Sequence, residues 1–270
     1  MKSKVVLFLF TSAMFMTALQ ADIITWTGLD IDDNNWSSPD NWSGSYAPPR
    51  NTDYQDTAQF NLLAPQTVTI DGVPKVKGLD FANAGWTLNG NFNQFKELSS
   101  TGVGTNTING NLGQARGDAT WNVVGVDHTL RVIGNINYYD QKITLTGGGT
   151  LWVDDLTVSG SASFSPSFTL QGATLKLEDT LPHTNSGSVG NAAIKINVDG
   201  LLVLKTSNVS SVEALFGSEI LNDTGLGSLQ AVYNSGSGYT TVSVIPESST
   251  ATLLLISGLS MFCVLRKRKS

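Results

Sequence analysis

Few side chains in this sequence can do chemistry, and their spacing narrows what that chemistry is. The 270-residue chain has two histidines, His128 and His183. They lie far apart in unrelated contexts, and neither comes with a Gly-x-Ser-x-Gly elbow, a His-Glu-x-x-His helix or a phosphate-cradling loop. Two pairs of adjacent acids, Asp154-Asp155 and Glu178-Asp179, are the available carboxylates for a sugar-cleaving site. Glycoside hydrolysis needs such groups about 5–10 Å apart; the competing role for them is at strand-ending turns. Asp30, Asp32 and Asn34 match the first three ligand positions of an Asp-x-Asp-x-Asn calcium loop. The sixth position is Asn35 rather than Gly and the twelfth Asn41 rather than Glu, so a Ca²⁺ site there would be a looser surface one. An Asx-rich turn without metal is the alternative. Trp26, Trp36 and Trp42 stand among Asn, Asp, Gly and Ser. Exposed and coplanar, they would stack on sugar rings as a glycan contact; buried, they would plug one end of a fold. The only cysteine, Cys263, lies in an apolar stretch near the C-terminus, so the body has neither a thiol nucleophile nor a disulfide framework. No cofactor beyond that Ca²⁺ follows from the sequence, and nothing marks the chain as an enzyme.

The elements that must position these residues read as strands. Gly is frequent (27 residues), Asn, Thr and Ser punctuate the chain, and no long stretch of the body carries a 3.6-residue apolar period. The run 211–221 comes closest and predicts one short helix. From Thr67 onward the chain repeats itself. LNGNF (88–92), INGNL (108–112) and VIGNI (132–136) centre on Gly90, Gly110 and Gly134. Such a period with Gly/Asn corners is what a β-solenoid needs, each coil contributing short strands that stack in register. Alternation in 173–178 puts Leu175 and Leu177 on one face and Thr174, Lys176 and Glu178 on the other. Residues 229–233 and 239–245, joined by Ser-Gly-Ser-Gly, read as a closing hairpin. The expected fold is all-β: a single parallel β-solenoid over 67–245 behind a Trp/Asn-rich cap over 22–66. An antiparallel β-sandwich is the alternative.

Charge narrows the partners. Setting aside Lys2, Lys4 and the four terminal cations leaves 10 of 16 basic residues, and setting aside Glu247 leaves 21 of 22 acidic ones, so the body carries about −11. A nucleic-acid partner requires a basic footprint, and this body lacks one.

The two ends carry their own signals. Lys2 and Lys4 precede an apolar run to Met16 and a small-residue run to Ala21, the layout of a secretory signal peptide over 1–21. At the other end stand Pro246-Glu247-Ser248, an uncharged stretch and the cations Arg266, Lys267, Arg268 and Lys269. The stretch 248–265 is long enough, at about 1.5 Å per residue, to predict a transmembrane helix, oriented by its cationic tail. This three-part order resembles the PEP-CTERM sorting signal, with Ser248 where the commonest form has a second proline. The resemblance implies an exosortase-type membrane protease as partner, transient residence in the inner membrane, then release to the surface or an exopolysaccharide-rich matrix. Residues 26–60, with Trp-Gly, Asn-Trp pairs, Pro48-Pro49 and the Asp-Thr-Ala-Gln-Phe run ending at Phe60, resemble the N-terminal segment of secreted autotransporter-passenger-like proteins. LTGGGTLWV (145–153) is similar to the autotransporter-associated β-strand repeat, which implies a right-handed parallel β-helix. The expected function is therefore that of an exported structural or adhesive surface protein associated with biofilm exopolysaccharide, with a glycan-binding module, and then a β-helix carbohydrate enzyme, as alternatives.

Overall fold

The structure is a computed structural model that describes residues 22–30, 32–49, 55–115, 117–139, 141–159, 166–178, 183–184, 193–197, 199–225 and 227–247. The chain winds as a β-solenoid. One face is a nine-stranded sheet running from Ile23–Thr25 and Thr57–Phe60, through Gly78–Phe81, Glu97–Ser100, Ala119–Val123, Lys142–Thr146, Ser167–Leu170 and Ala193–Ile196, to Ile220–Asn222. All its strand pairs are parallel. The second face stacks Thr67–Thr69, Thr87–Asn89, Gly104–Asn109, the first part of His128–Tyr139, Thr150–Ser159, Thr174–Leu177 and Leu201–Leu204 in the same way. A third, shorter face is formed by Phe92–Phe95, Leu112–Ala115 and the second halves of His128–Tyr139 and Thr150–Ser159. Parallel pairing between successive coils rules out the antiparallel sandwich.

Register decides the core. On the first face Ala58, Leu79, Leu98, Trp121, Leu145, Leu170 and Ile196 stand in line, each buried. On the second, Val68, Leu88, Ile108, Val132, Val153, Leu177 and Leu204 do the same. Because side chains alternate along a strand, a slip of one residue would turn a whole stack outward. Each Leu, Ile or Val of these stacks contributes on the order of 1.5–3 kcal/mol by leaving water, and without disulfides the stacks carry the stability of the body.

The glycine–asparagine repeat forms the corner between the second and third faces. Asn91 accepts from the Asn111 backbone N–H through Oδ1 at 2.7 Å, and Asn111 Oδ1 accepts from Asn135 N–H at 2.9 Å. Each corner thus hands one hydrogen bond to the next. The glycine before each asparagine lets the coils approach: a Cβ on Gly110 would lie 2.0 Å from the Gly90 carbonyl oxygen. Only a residue without a side chain fits there.

Both ends are closed by the chain itself. The first coil begins at Thr57–Phe60, earlier than the boundary at 67 read from the repeats, and the segment before it folds over the open end. At the far end the short helix Val209–Glu213, capped by the Asn208 side chain on Ser211 N–H, is followed by Ile220–Asn222 as a strand rather than further helix. The hairpin Ser228–Asn234 with Tyr239–Ile245 then pairs antiparallel onto Leu201–Leu204.

The transmembrane helix expected over 248–265 requires correction. No helix among the described residues is long and apolar enough to cross a membrane. That segment, with Ser248, Arg266, Lys267, Arg268 and Lys269, lies outside the described residues, as does the signal peptide expected over 1–21.

Candidate functional site

The densest cluster of chemistry-bearing side chains lies on the outward side of the second face. Strand alternation that buries Leu175, Leu177 and Val153 turns Trp152, Asp154, Lys176 and Glu178 outward, and the stacking of coils brings Arg131, Trp152 and Lys176 into one row. The Trp152 indole is sandwiched. The Arg131 guanidinium carbon sits 4.5 Å from its ring centroid and Lys176 Nζ 3.6 Å from it. Lys176 Nζ also lies 4.1 Å from the ring of Tyr239, which arrives on the closing hairpin. Cations over aromatic faces are attracted by the ring quadrupole.

The two acids are each spoken for. Asp154 pairs with Arg131. Glu178 accepts from Trp152 Nε1 at 2.8 Å, from Lys205 Nζ at 2.6 Å and from the Tyr239 hydroxyl. Burial alone would raise the Glu178 carboxyl, but the hydrogen bonds from Lys205, Tyr239 and Trp152 outweigh it and hold the pKa down to about 2. Burial, reinforced by the Glu178 carboxylate, raises the Tyr239 phenol to about 12. Lys176 is lowered, chiefly by burial and against the pull of Glu178. A glycosidase acid needs the opposite displacement, a carboxyl kept protonated near neutral pH; Glu178 is held ionised. The cluster is thus a clasp that ties the closing hairpin, through Tyr239, to the coils carrying Trp152 and Glu178. The remaining acids of the two pairs separate from it. Asp155 takes the corner position after Asn135, with Oδ2 accepting from the Thr157 hydroxyl at 3.2 Å, and Asp179 lies outside the described residues.

The three indoles of the N-terminal segment are buried, with Trp36 the most exposed at 3 %. Trp42 meets Trp26 edge-on at 5.0 Å and Trp36 at 4.7 Å, and Trp36 meets Phe92 at 5.3 Å. Their N–H groups donate to Gln66 Oε1, the Pro48 carbonyl and the Trp36 carbonyl. No indole face is open to a sugar, which corrects the glycan-contact reading of Trp26, Trp36 and Trp42. They are the plug, packed on Phe60 of the first coil.

Asp30, Asp32 and Asn34 form a hydrogen-bonded loop over that plug. The Asp30 carboxylate accepts from Asp32 N–H at 3.3 Å and from the Ser38 hydroxyl at 2.9 Å, while the Asn34 carbonyl accepts from Thr69 N–H at 2.9 Å. A shallow depression beside it is lined by Thr27, Asp30, Asp40 and Trp42 among others. Among the described residues no group of three His, Cys, Asp or Glu side chains is placed to hold a metal. The arrangement is that of an Asx turn.

His128 points inward. It is fully buried, with Nε2 2.7 Å from Ser100 Oγ, and Asn106 Nδ2 donates to the same oxygen at 3.0 Å. Ser100 Oγ and Nε2 share one hydrogen bond, and the imidazole tautomer sets which of them donates. Burial lowers its pKa, opposed in part by the nearby Gly104 backbone; Nδ1 has no fully formed hydrogen bond. A serine–histidine pair sealed inside a coil, with no carboxylate behind it, has no route to a substrate. His183 lies in the two-residue strand His183–Thr184, away from it in the sequence. Pro246 and Glu247 are exposed directly after the last strand.

No family model matches this chain, and neither does any curated protein or solved structure.

Proposed function

We propose that the chain is an exported structural protein of the cell surface or extracellular matrix, a rigid acidic body that stands beside exopolysaccharide after an exosortase-type membrane protease has acted at Pro246-Glu247-Ser248. The observation that carries this reading is where the fold ends. Every backbone pair of the closing hairpin is made by Ile245 or earlier, and Pro246 and Glu247 are exposed beyond it. A protease can reach Pro246 and Glu247, and cutting after them leaves the body whole. The other end supports the same reading: Asp22, the first of the described residues, ties into the sheet through its carbonyl, which accepts from Thr57 N–H at 2.9 Å, and the first strand, Ile23–Thr25, lies beyond the segment 1–21. Within the body, the buried indoles and the ion-paired Asp154 and Glu178 favour a structural role over sugar binding or sugar cleavage.

Mass spectrometry of the protein from cells that make it, with inner membrane, outer envelope and medium taken separately, tests the proposal. The expected species starts near Asp22, ends between Pro246 and Ser248, and is found outside the inner membrane. A chain still carrying Ser270 and confined to the inner-membrane fraction would overturn it.

A further inference from the structure

A parallel solenoid has sheet edges at both ends, and each exposed edge is a template for another strand. At three of the four edges of its two long faces, among the described residues, a segment of the chain itself hydrogen-bonds to the outermost strand. At the N-terminal end of the first face, Thr25 exchanges bonds with Ser43: Thr25 N–H donates to Ser43 Oγ at 2.9 Å and Ser43 N–H to the Thr25 carbonyl at 2.8 Å. At the same end of the second face, Thr69 N–H donates to the Asn34 carbonyl at 2.9 Å and Trp36 N–H to the Thr69 carbonyl at 2.7 Å. At the C-terminal end of the first face, Gly217 N–H donates to the Ile220 carbonyl at 2.9 Å, and the Asn222 side chain is bonded to the Gly227 carbonyl.

The fourth edge is Ser228–Asn234, the last strand of the twelve-stranded sheet. Its bonding directions follow from register. Leu201 and Lys205 donate back to Ala173 and Leu177, so Leu202 and Leu204 face the hairpin and bond Val242 and Thr240. Thr241 and Ser243 then face the outer strand and meet Val232 and Gln230. By alternation the N–H and C=O groups of Leu229, Ala231 and Tyr233 point away from the molecule. Among the described residues nothing hydrogen-bonds to them. The strand, SLQAVYN, has no charge, no Pro and no Gly, and it leaves Val232 and Tyr233 exposed. It carries no charge, proline or bulge to blunt it, and the helix Val209–Glu213 that packs beside it leaves these outward groups without a hydrogen bond.

We propose that this edge pairs with the same edge of a second copy, antiparallel about a two-fold axis, so that the second face continues from one molecule into the other. The partner is a copy of this chain for three reasons on the molecule itself. An antiparallel self-pair centred on Ala231 sets Leu229 opposite Tyr233 and Gln230 opposite Val232, and each outward donor meets an outward acceptor. The seam is uncharged although the body carries about −11, so two like-charged bodies meet where neither presents a charge. The covered opposite ends stop head-to-tail stacking, so assembly closes at two rather than growing. This inference goes beyond the export reading and does not depend on it.

Sedimentation equilibrium of the full chain, in a detergent that shields the apolar stretch 248–265, reads the assembly directly. Two variants separate the seam from the rest. Ala231→Pro removes one outward N–H and leaves the bonds to Tyr239–Ile245 in place, since proline is tolerated on an edge strand where the N–H faces away from the sheet. Val232→Lys sets a charge on an exposed position of the seam and leaves the fold intact, which an unchanged near-ultraviolet signal from the buried indoles verifies. The native chain is expected at twice its own mass, with self-association weakened by about tenfold or more in each variant. A native chain that stays monomeric, variants that dimerise like the native chain, or masses growing beyond two copies would each overturn the proposal.

Discussion

Replacing Glu178 by glutamine tests whether the outer-face cluster is a clasp. Gln keeps an oxygen for the Trp152 and Tyr239 donors and removes only the charge that faces Lys205. Each pH unit by which a carboxyl is displaced corresponds to about 1.4 kcal/mol, so holding Glu178 at about 2 against an ordinary 4.5 sets a ceiling of roughly 3 kcal/mol. Lys205 is 57 % exposed, and solvent screening of that arm reduces the expected cost of Glu178→Gln to about 1–2 kcal/mol at pH 7. The sign is fixed by linkage. The folded carboxyl titrates below the unfolded one, so its contribution is complete above about pH 4.5 and disappears as the pH falls through about 2. Urea titrations followed by tryptophan fluorescence at a series of pH values give the native-minus-variant difference. It is expected to be constant above pH 5 and to shrink toward zero between pH 4.5 and 2. A difference that persists unchanged below pH 2.5, or that is absent at pH 7, would show that Glu178 does not hold the hairpin through its charge.

Two further outcomes follow from the packing. Gly110→Ala places a methyl group 2.0 Å from the Gly90 carbonyl oxygen, so adjacent coils must part by more than the corner hydrogen bonds allow; an overpacking cost of about 1–3 kcal/mol, with faster amide exchange at Asn111 and Asn135, is expected, and unchanged exchange there would count against the asparagine ladder. Trp36→Ala empties a site bounded by Trp42, Phe92 and Phe60 and leaves the Pro48 carbonyl unpaired, for an expected loss of about 3–5 kcal/mol in urea unfolding; a loss below 1 kcal/mol would mean that the indole is not part of the plug.

The Gly-Asn corners and the alternating aliphatics were legible in the sequence because both are local: a corner needs a residue without Cβ next to one that can bond a neighbouring backbone, and a buried strand face needs every second residue apolar. From these the coil period, the hairpin over 229–245 and the solenoid itself could be read. The role of the three tryptophans was open, because an indole in a polar segment is equally suited to a plug or a sugar platform. Only the return of 26–49 across the first coil, placing Trp36 against Phe92, buried them. The burial of His128 is equally non-local: its neighbours Asp127, Thr129 and Arg131 are polar, and nothing nearby in sequence announces Ser100 and Asn106 one coil away.

By itself, the sequence determined what repeats: which residues line each stack and where the coils turn. The tertiary structure alone decided what meets across coils. Glu178, Trp152, Lys205 and Tyr239 span 88 positions from first to last, and no local pattern brings them together; stacking at one strand spacing per coil does. The same stacking decided which edges are covered, since the backbone directions of Ser228–Asn234 depend on a register counted through Tyr239–Ile245 to Leu201–Leu204 and on to Thr174–Leu177.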